Sequence, residues 1–446
     1  MLKIKNLYLG SLFSLFVFIP SILGQSRMYL KSGIKKQKIT FEFIHNLIIL
    51  PVELNGKTLN LILDTGSSKT IIFGIKNSDS IQLNKASKIS LRGLGSGEAI
   101  EGIISKNNQL KLQNIVGVNQ TIYVVLDDKF DLSSKMGKTI HGIIGFELIK
   151  NFIVDINYTT HHISFQNPSK KLKQKNSKYH DFDLTFYNKK PYITANISLS
   201  DHTKKKVKLL LDTGSSDALW LFEDKEQGII SPPKYFLDNL GEGLSGTITG
   251  KRSKINSFEL KSFKFKNPTT AFLDSSATAF ARSYKGRNGS IGSRIFKRFR
   301  VVLDYPNQKI YLKKAKNFNK EFKYNRAGIE IVHIGKILTA QNHLFQNTFL
   351  ENKQTSELNK IIFEIDYKYI FKPLYAIHSI RPNSPADLAG LRANDIIKVI
   401  NGKPTYEYEM DELNALFYGA VGSTLKLSIE RNGILFYYQF KLRKLL

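Results

Sequence analysis

Residues 61–68 read Leu-Ile-Leu-Asp64-Thr65-Gly66-Ser67-Ser68, and residues 209–216 read Leu-Leu-Leu-Asp212-Thr213-Gly214-Ser215-Ser216. Twice, an apolar run delivers an acid into a glycine turn, and the two acids lie 148 positions apart. The same offset carries Gly93, Gly95 and Gly102 onto Gly241, Gly243 and Gly250. Further on, His141-Gly-Ile-Ile-Gly145 answers Gly289-Ser-Ile-Gly292, and residues 152–158 answer residues 299–305. A shared ruler across several landmarks marks a duplicated lobe rather than a chance motif. The copies span residues 40–166 and 191–315, joined by a Lys-, Asn- and Ser-rich linker over 167–190 and followed by a third region over 316–446. Within both copies the apolar runs are short, β-branched and bounded by turns such as Asn55-Gly56, which predicts mostly β lobes with few helices (146–151 and 293–299).

Doubling an acid in a glycine turn has a chemical consequence. Glycine lets backbone approach the acid closely. The neighbouring Thr65, Ser67, Thr213 and Ser215 hydroxyls can bond the carboxylate or the facing loop. Two such loops meeting across a pseudo-twofold axis bring Asp64 and Asp212 together. Adjacent carboxylates cannot both ionise comfortably, so they share a proton. One can then deprotonate a water while the other protonates a carbonyl oxygen.

With these residues the two copies resemble the lobes of retropepsin-like and pepsin-like aspartic peptidases. The resemblance implies an endopeptidase with Asp64 and Asp212 as catalytic pair and Thr65, Gly66, Ser67, Thr213, Gly214 and Ser215 supporting the loops. It implies a polypeptide substrate, no cofactor and no metal. It places Ile143-Ile144-Gly145 and Ser290-Ile291-Gly292 behind the two loops. Flaps would fall at Gly93, Gly95 and Gly97 and at Gly241, Gly243 and Gly246; neither segment has the tyrosine of pepsin-like flaps. Since one chain supplies both acids, a monomer is expected.

From residue 377 the sequence reads Ile-His-Ser-Ile-Arg-Pro-Asn-Ser-Pro-Ala-Asp-Leu-Ala-Gly-Leu, followed by Asp395-Ile-Ile-Lys-Val-Ile-Asn-Gly402. This is similar to a bacterial PDZ domain. Ser384 opens a short helix that Gly390 closes, Asn401-Gly402 and Asn432-Gly433 make hairpin turns, and a helix spans 410–417. Asn394 stands where the family has glycine, and asparagine tolerates the left-handed conformation. PDZ domains bind peptide or protein C-termini by strand addition. The resemblance places that site at Ala327-Gly328-Ile329 and at Leu413 on the helix, with an insertion near 336–360 separating the first strand from the rest.

The remaining features set the context. Lys3 and Lys5 precede an apolar stretch ending at Gly24, the pattern of a secretory signal peptide over 1–24, followed by a leader over 25–39. Exported, periplasmic or envelope localisation is the expectation, and an uncleaved membrane anchor is the alternative. The chain has no cysteine, which excludes disulfides, thiolate metal sites and a cysteine nucleophile. A net charge of +29, mostly lysine, reads as solvated faces without a specific nucleic-acid site. Polyanion binding by that surface, or a non-catalytic peptide-binding scaffold of the cell envelope, stands as the alternative function.

Overall fold

The computed structural model describes residues 26–75, 80–91, 99–126, 132–168, 178–200, 202–243, 246–279, 281–284, 286–345 and 364–446. The signal-peptide stretch and the first flap candidates Gly93, Gly95 and Gly97 lie outside the described residues.

Each lobe is built around the strands that enter its acid. In lobe 1, Leu47–Leu54 and Lys57–Leu63 form a hairpin through Asn55 and Gly56, whose φ values of 47° and 93° suit the left-handed turn. In lobe 2, Lys190–Ser198 pairs with Lys204–Leu211. The latter begins Lys-Lys-Lys-Val and ends Leu-Leu-Leu, passing from an alternating, half-exposed strand to one buried on both faces. Beside each lies a short third strand, Gly142–Ile144 or Gly289–Ile291, parallel to the entering strand. Each of these pairs antiparallel on its far side, with Thr70–Ile72 or Leu219–Phe222. The duplicated sequence thus yields a duplicated topology.

The lobes meet in a six-stranded sheet. Ile153–Asn157 runs antiparallel to Phe299–Asp304 with Asp155 opposite Val302, and Asn157–Arg300 and Ile153–Asp304 flank them. These are the stretches that answer one another in sequence, so each copy pairs with its own repeat and the pseudo-twofold axis passes between them. Both lobes then share one apolar core, from Met28 through Phe152 and Phe165 to Phe299 and Phe322. Each fully buried large side chain contributes about 1.5–3 kcal/mol over its exposed state.

Three boundaries differ from the sequence reading. The leader is structural: Arg27–Leu30 pairs with Ile115–Val125, and Lys36–Thr40 with His162–Gln166. The linker shrinks, because His180–Asp183 joins the interlobe sheet beside Lys309–Lys314, and Thr185–Tyr187 pairs with Lys190–Ser198. The insertion does not separate the first strand of the third region. Its residues 336–345 extend the strand Ile329–Phe345, which pairs with Glu364–Ile380, and the rest of the insertion lies outside the described residues. The expected lobe helices are also short, at Phe146–Ile149 and Ser293–Phe296.

The third region has its own core, including Ile377, Leu391, Leu413 and Phe417. Its helix Met410–Phe417 is fixed by a capping box between Glu409 and Glu412 and by burial of Met410, Leu413 and Phe417 on one face. Asn394 has φ 70°, as its place in the motif requires.

Candidate active site

Asp64 and Asp212 lie together on the floor of a cleft of about 1370 Å³. Their backbone loops are locked by a symmetric exchange. Thr65 Oγ1 donates to the Leu211 carbonyl and Thr213 Oγ1 to the Leu63 carbonyl, each at 2.7 Å. Each hydroxyl also accepts from the other threonine's amide, each at 3.0 Å. The threonines are almost fully buried, so these bonds form away from competing water. We expect Thr213→Val to destabilise the protein by roughly 2–3 kcal/mol, because it orphans a buried amide and a buried carbonyl. Urea unfolding checks this, with Thr213→Ser retaining wild-type stability.

The glycines are required by contact. A Cβ at Gly66 would stand 3.0 Å from Asp212 Cγ and 3.1 Å from Asp64 Oδ1, and a Cβ at Gly214 would stand 2.5 Å from Asp64 Cγ. Behind the loops, a Cβ at Gly145 would lie 2.1 Å from the Asp64 carbonyl oxygen, and one at Gly292 would lie 2.3 Å from that of Asp217. The Gly66 amide donates to Asp64 Oδ1 at 2.7 Å. Ser67 Oγ, expected on the carboxylate, instead donates to the Lys69 carbonyl at 2.8 Å.

Burial, then the Asp212 charge, pushes the Asp64 carboxyl up to about 7. Burial also raises Asp212, opposed by the cations Arg287 and Lys190 and by a hydrogen bond from Asp64. With both carboxyls raised and facing one another, the pair titrates as a unit and shares a proton toward neutrality.

The second flap candidate is a hairpin, Phe236–Gly243 with Gly246–Lys254, bulged between Asn239 and Gly241. Gly241 (φ 147°) and Gly246 (φ 103°) give it backbone freedom, and Gly243 pairs with Gly246 beside its tip. It leans over the cleft and is tied at both ends. Glu242 forms an ion pair with Lys135 of lobe 1, and Arg381 of the third region stacks over Phe236 at 3.9 Å and faces Asp238 at 3.6 Å.

From Asp238 a buried charge chain runs to the active-site loop. Arg252 Nε donates to Asp238, and its two terminal nitrogens donate to the Asp217 carboxylate at 2.9 and 3.2 Å. Asp217 also accepts from Trp220 Nε1 at 2.8 Å. Burial alone would raise Asp217, but the Arg252 guanidinium holds it below the ordinary carboxylate range. The equivalent of Asp217 in the first copy is Lys69, so the sign change breaks the repeat and was the available sequence signal. Lys190, at the end of the expected linker, and Arg287 belong to no motif in the sequence, and both line the cleft.

The third region borders the same cleft through residues 328–332, the helix residues Asp411 and Asn414, and Tyr418 just beyond the helix. Ala327, Ile329 and Leu413 are buried in its core rather than presented to a ligand. The loop amides expected to hold a carboxylate already have partners. Those of Arg326 and Ala327 donate to the Phe417 carbonyl, and that of Gly328 donates to Asn325 Oδ1. Among the described residues, the strand Ile329–Phe345 stands at the edge of its sheet, a position at which a peptide strand can be added.

Residues 50–148 match the family model described as aspartyl protease, and residues 377–431 match the PDZ domain. The first match includes Asp64; the second lobe carries its likeness through the repeated topology. A crystal structure of aspartic proteinase from Irpex lacteus aligns over 64% of this chain and 99% of its own, at 14% identity and TM-score 0.40. No curated protein matches the sequence. The chain thus carries an aspartyl protease segment and a PDZ domain.

Proposed function

We propose that the protein is a single-chain aspartic endopeptidase whose PDZ domain engages peptide at the edge of its first strand. The reciprocal Thr65–Thr213 exchange carries this reading, because it fixes two acid loops so that their carboxylates share one proton. Asp212 takes a proton from a water that attacks the peptide carbonyl, while Asp64 protonates the carbonyl oxygen. As the tetrahedral intermediate collapses, the proton on Asp212 passes to the departing nitrogen and Asp64 recovers its own. No covalent intermediate is needed. The flap hairpin covers the cleft and strengthens these electrostatic interactions by excluding water.

The basic and apolar start of the sequence supports export, with a polypeptide of the envelope or exterior as substrate. Mass-spectrometric mapping of products from a denatured protein mixture tests the activity: new internal cuts are expected, and their absence across acidic and neutral pH would remove the endopeptidase reading. Specific activity is expected to stay constant on dilution, as one chain holds both acids. Activity rising with the square of enzyme concentration would point to a dimeric site instead.

A further inference from the structure

The two sides of the cleft differ chemically at positions that the pseudo-twofold axis makes equivalent. In lobe 1, Ile49 lies opposite Ile62; continued two residues further, that register would bring Leu47 to the level of Asp64. In lobe 2, Tyr192 lies opposite Leu210; continued two residues further, that register brings Lys190 to the level of Asp212, on which its charge acts. Both positions follow a turn of two left-handed residues, His45-Asn46 and Asn188-Lys189. On the other side of each acid, Gly142 pairs with Leu61 and Gly289 with Leu209, so Ile140 and Arg287 are equivalent.

Leu47 and Ile140 belong to an apolar cluster with Ile62, Ile71 and Phe73. Lobe 2 replaces that apolar pair by two cations. Arg287 is only 6% exposed, donates through Nε to the Gly289 carbonyl at 3.1 Å and sits over the Phe222 ring. Its Nη2 has no hydrogen-bond partner among the described residues. Among the described residues, no carboxylate forms an ion pair with Lys190 or Arg287, although both act electrostatically on the dyad. Burying a cation without a counter-charge is costly, by several kcal/mol per ion. A dyad that holds one proton supplies one negative charge against these two cations, so beside the dyad Lys190 and Arg287 are under-compensated and can take an anionic group.

We propose that Lys190 and Arg287 form an acid-recognising subsite, selecting substrates with Asp or Glu on the lobe 2 side of the scissile bond and an apolar residue on the lobe 1 side. The proposal rests on the dyad reading and names its substrate class. Paired peptides differing only by Glu or Gln at each position around an apolar cut site test it. Wild-type kcat/KM is expected to favour Glu at one fixed position by about tenfold or more, the worth of a charge-assisted hydrogen bond. Lys190→Gln should erase most of that ratio and Lys190→Glu should invert it, whereas Arg287→Lys, which keeps the charge, should retain part of it.

A second arm needs no catalysis. Asp64→Asn protein should bind the Glu peptide more tightly than the Gln peptide, with the difference shrinking as salt rises. Absence of cleavage by wild type would sink the dyad reading, and this binding contrast would still decide the subsite. Equal affinities, or a Glu/Gln ratio unchanged in Lys190→Gln while only its pH profile moves, would overturn the subsite and leave the cations as tuners of the dyad.

Discussion

Asp64→Asn and Asp212→Asn are each expected to lower kcat by about 10³-fold, within the ~10²–10⁴ range of positioned acid–base groups, while the protein stays folded. Neither carboxylate is a spare for the other, because one must hold a proton while its neighbour accepts one. The substitutions separate catalysis from stability through pH. Asp64 is held near 7 in the folded chain against an ordinary 3.8. A folded carboxyl with a raised pKa favours the folded state at low pH, and that contribution is lost as pH rises through the folded value. Asparagine has no proton to lose. Asp64→Asn should therefore unfold at a higher temperature than wild type above about pH 7, with the gap closing toward pH 4. Thermal melts across that range, alongside peptide turnover, check both halves. Retained turnover in either variant would refute the dyad, and a gap that widened on acidification would refute the raised Asp64.

That trade of stability for chemistry explains what could be read from the sequence. The doubled motif was legible because the residues that make the fold and the residues that make the site coincide. Leu61–Leu63 and Leu209–Leu211 are core strands whose next residue is the acid, and Gly145 and Gly292 are glycine because they touch the acid loops. The PDZ helix was legible for a local reason: Met410, Leu413 and Phe417 lie on one face, and Glu409 and Glu412 cap it. What stayed hidden depends on strand register between distant segments. Lys190 looks like the end of a lysine-rich linker until its strand pairs beside the one that ends in Asp212 and brings its charge to the dyad. Arg27–Leu30 and Lys36–Thr40 are short and half polar, and only their partners near residues 115–118 and 162–166 make them strands.

The chain Arg381–Asp238–Arg252–Asp217 was hidden for the same reason, yet it ties the PDZ domain to the loop that carries Asp212. Arg252, Asp217 and Arg381 are each 8% exposed, so Arg252→Met would leave buried carboxylates without their shared cation. Breaking such a pair costs about 3–5 kcal/mol, more than a surface ion pair by several-fold. The loss should carry a pH signature. In wild type Asp217 is held below its ordinary value, so its contribution to stability is present at neutral pH and is lost as pH falls through the folded value. Without Arg252, burial is opposed only by the Trp220 hydrogen bond and the Arg294 charge, and the carboxyl takes up a proton more readily. The deficit of Arg252→Met should accordingly be largest near neutrality and shrink on acidification. Adding Asp217→Asn removes the stranded charge and still leaves an acceptor for Trp220, so the double variant should be more stable than Arg252→Met alone. Urea unfolding at neutral and acidic pH measures all three. A deficit below about 1 kcal/mol, the worth of an exposed pair, or one independent of pH, would show that the chain does not brace the active-site loop.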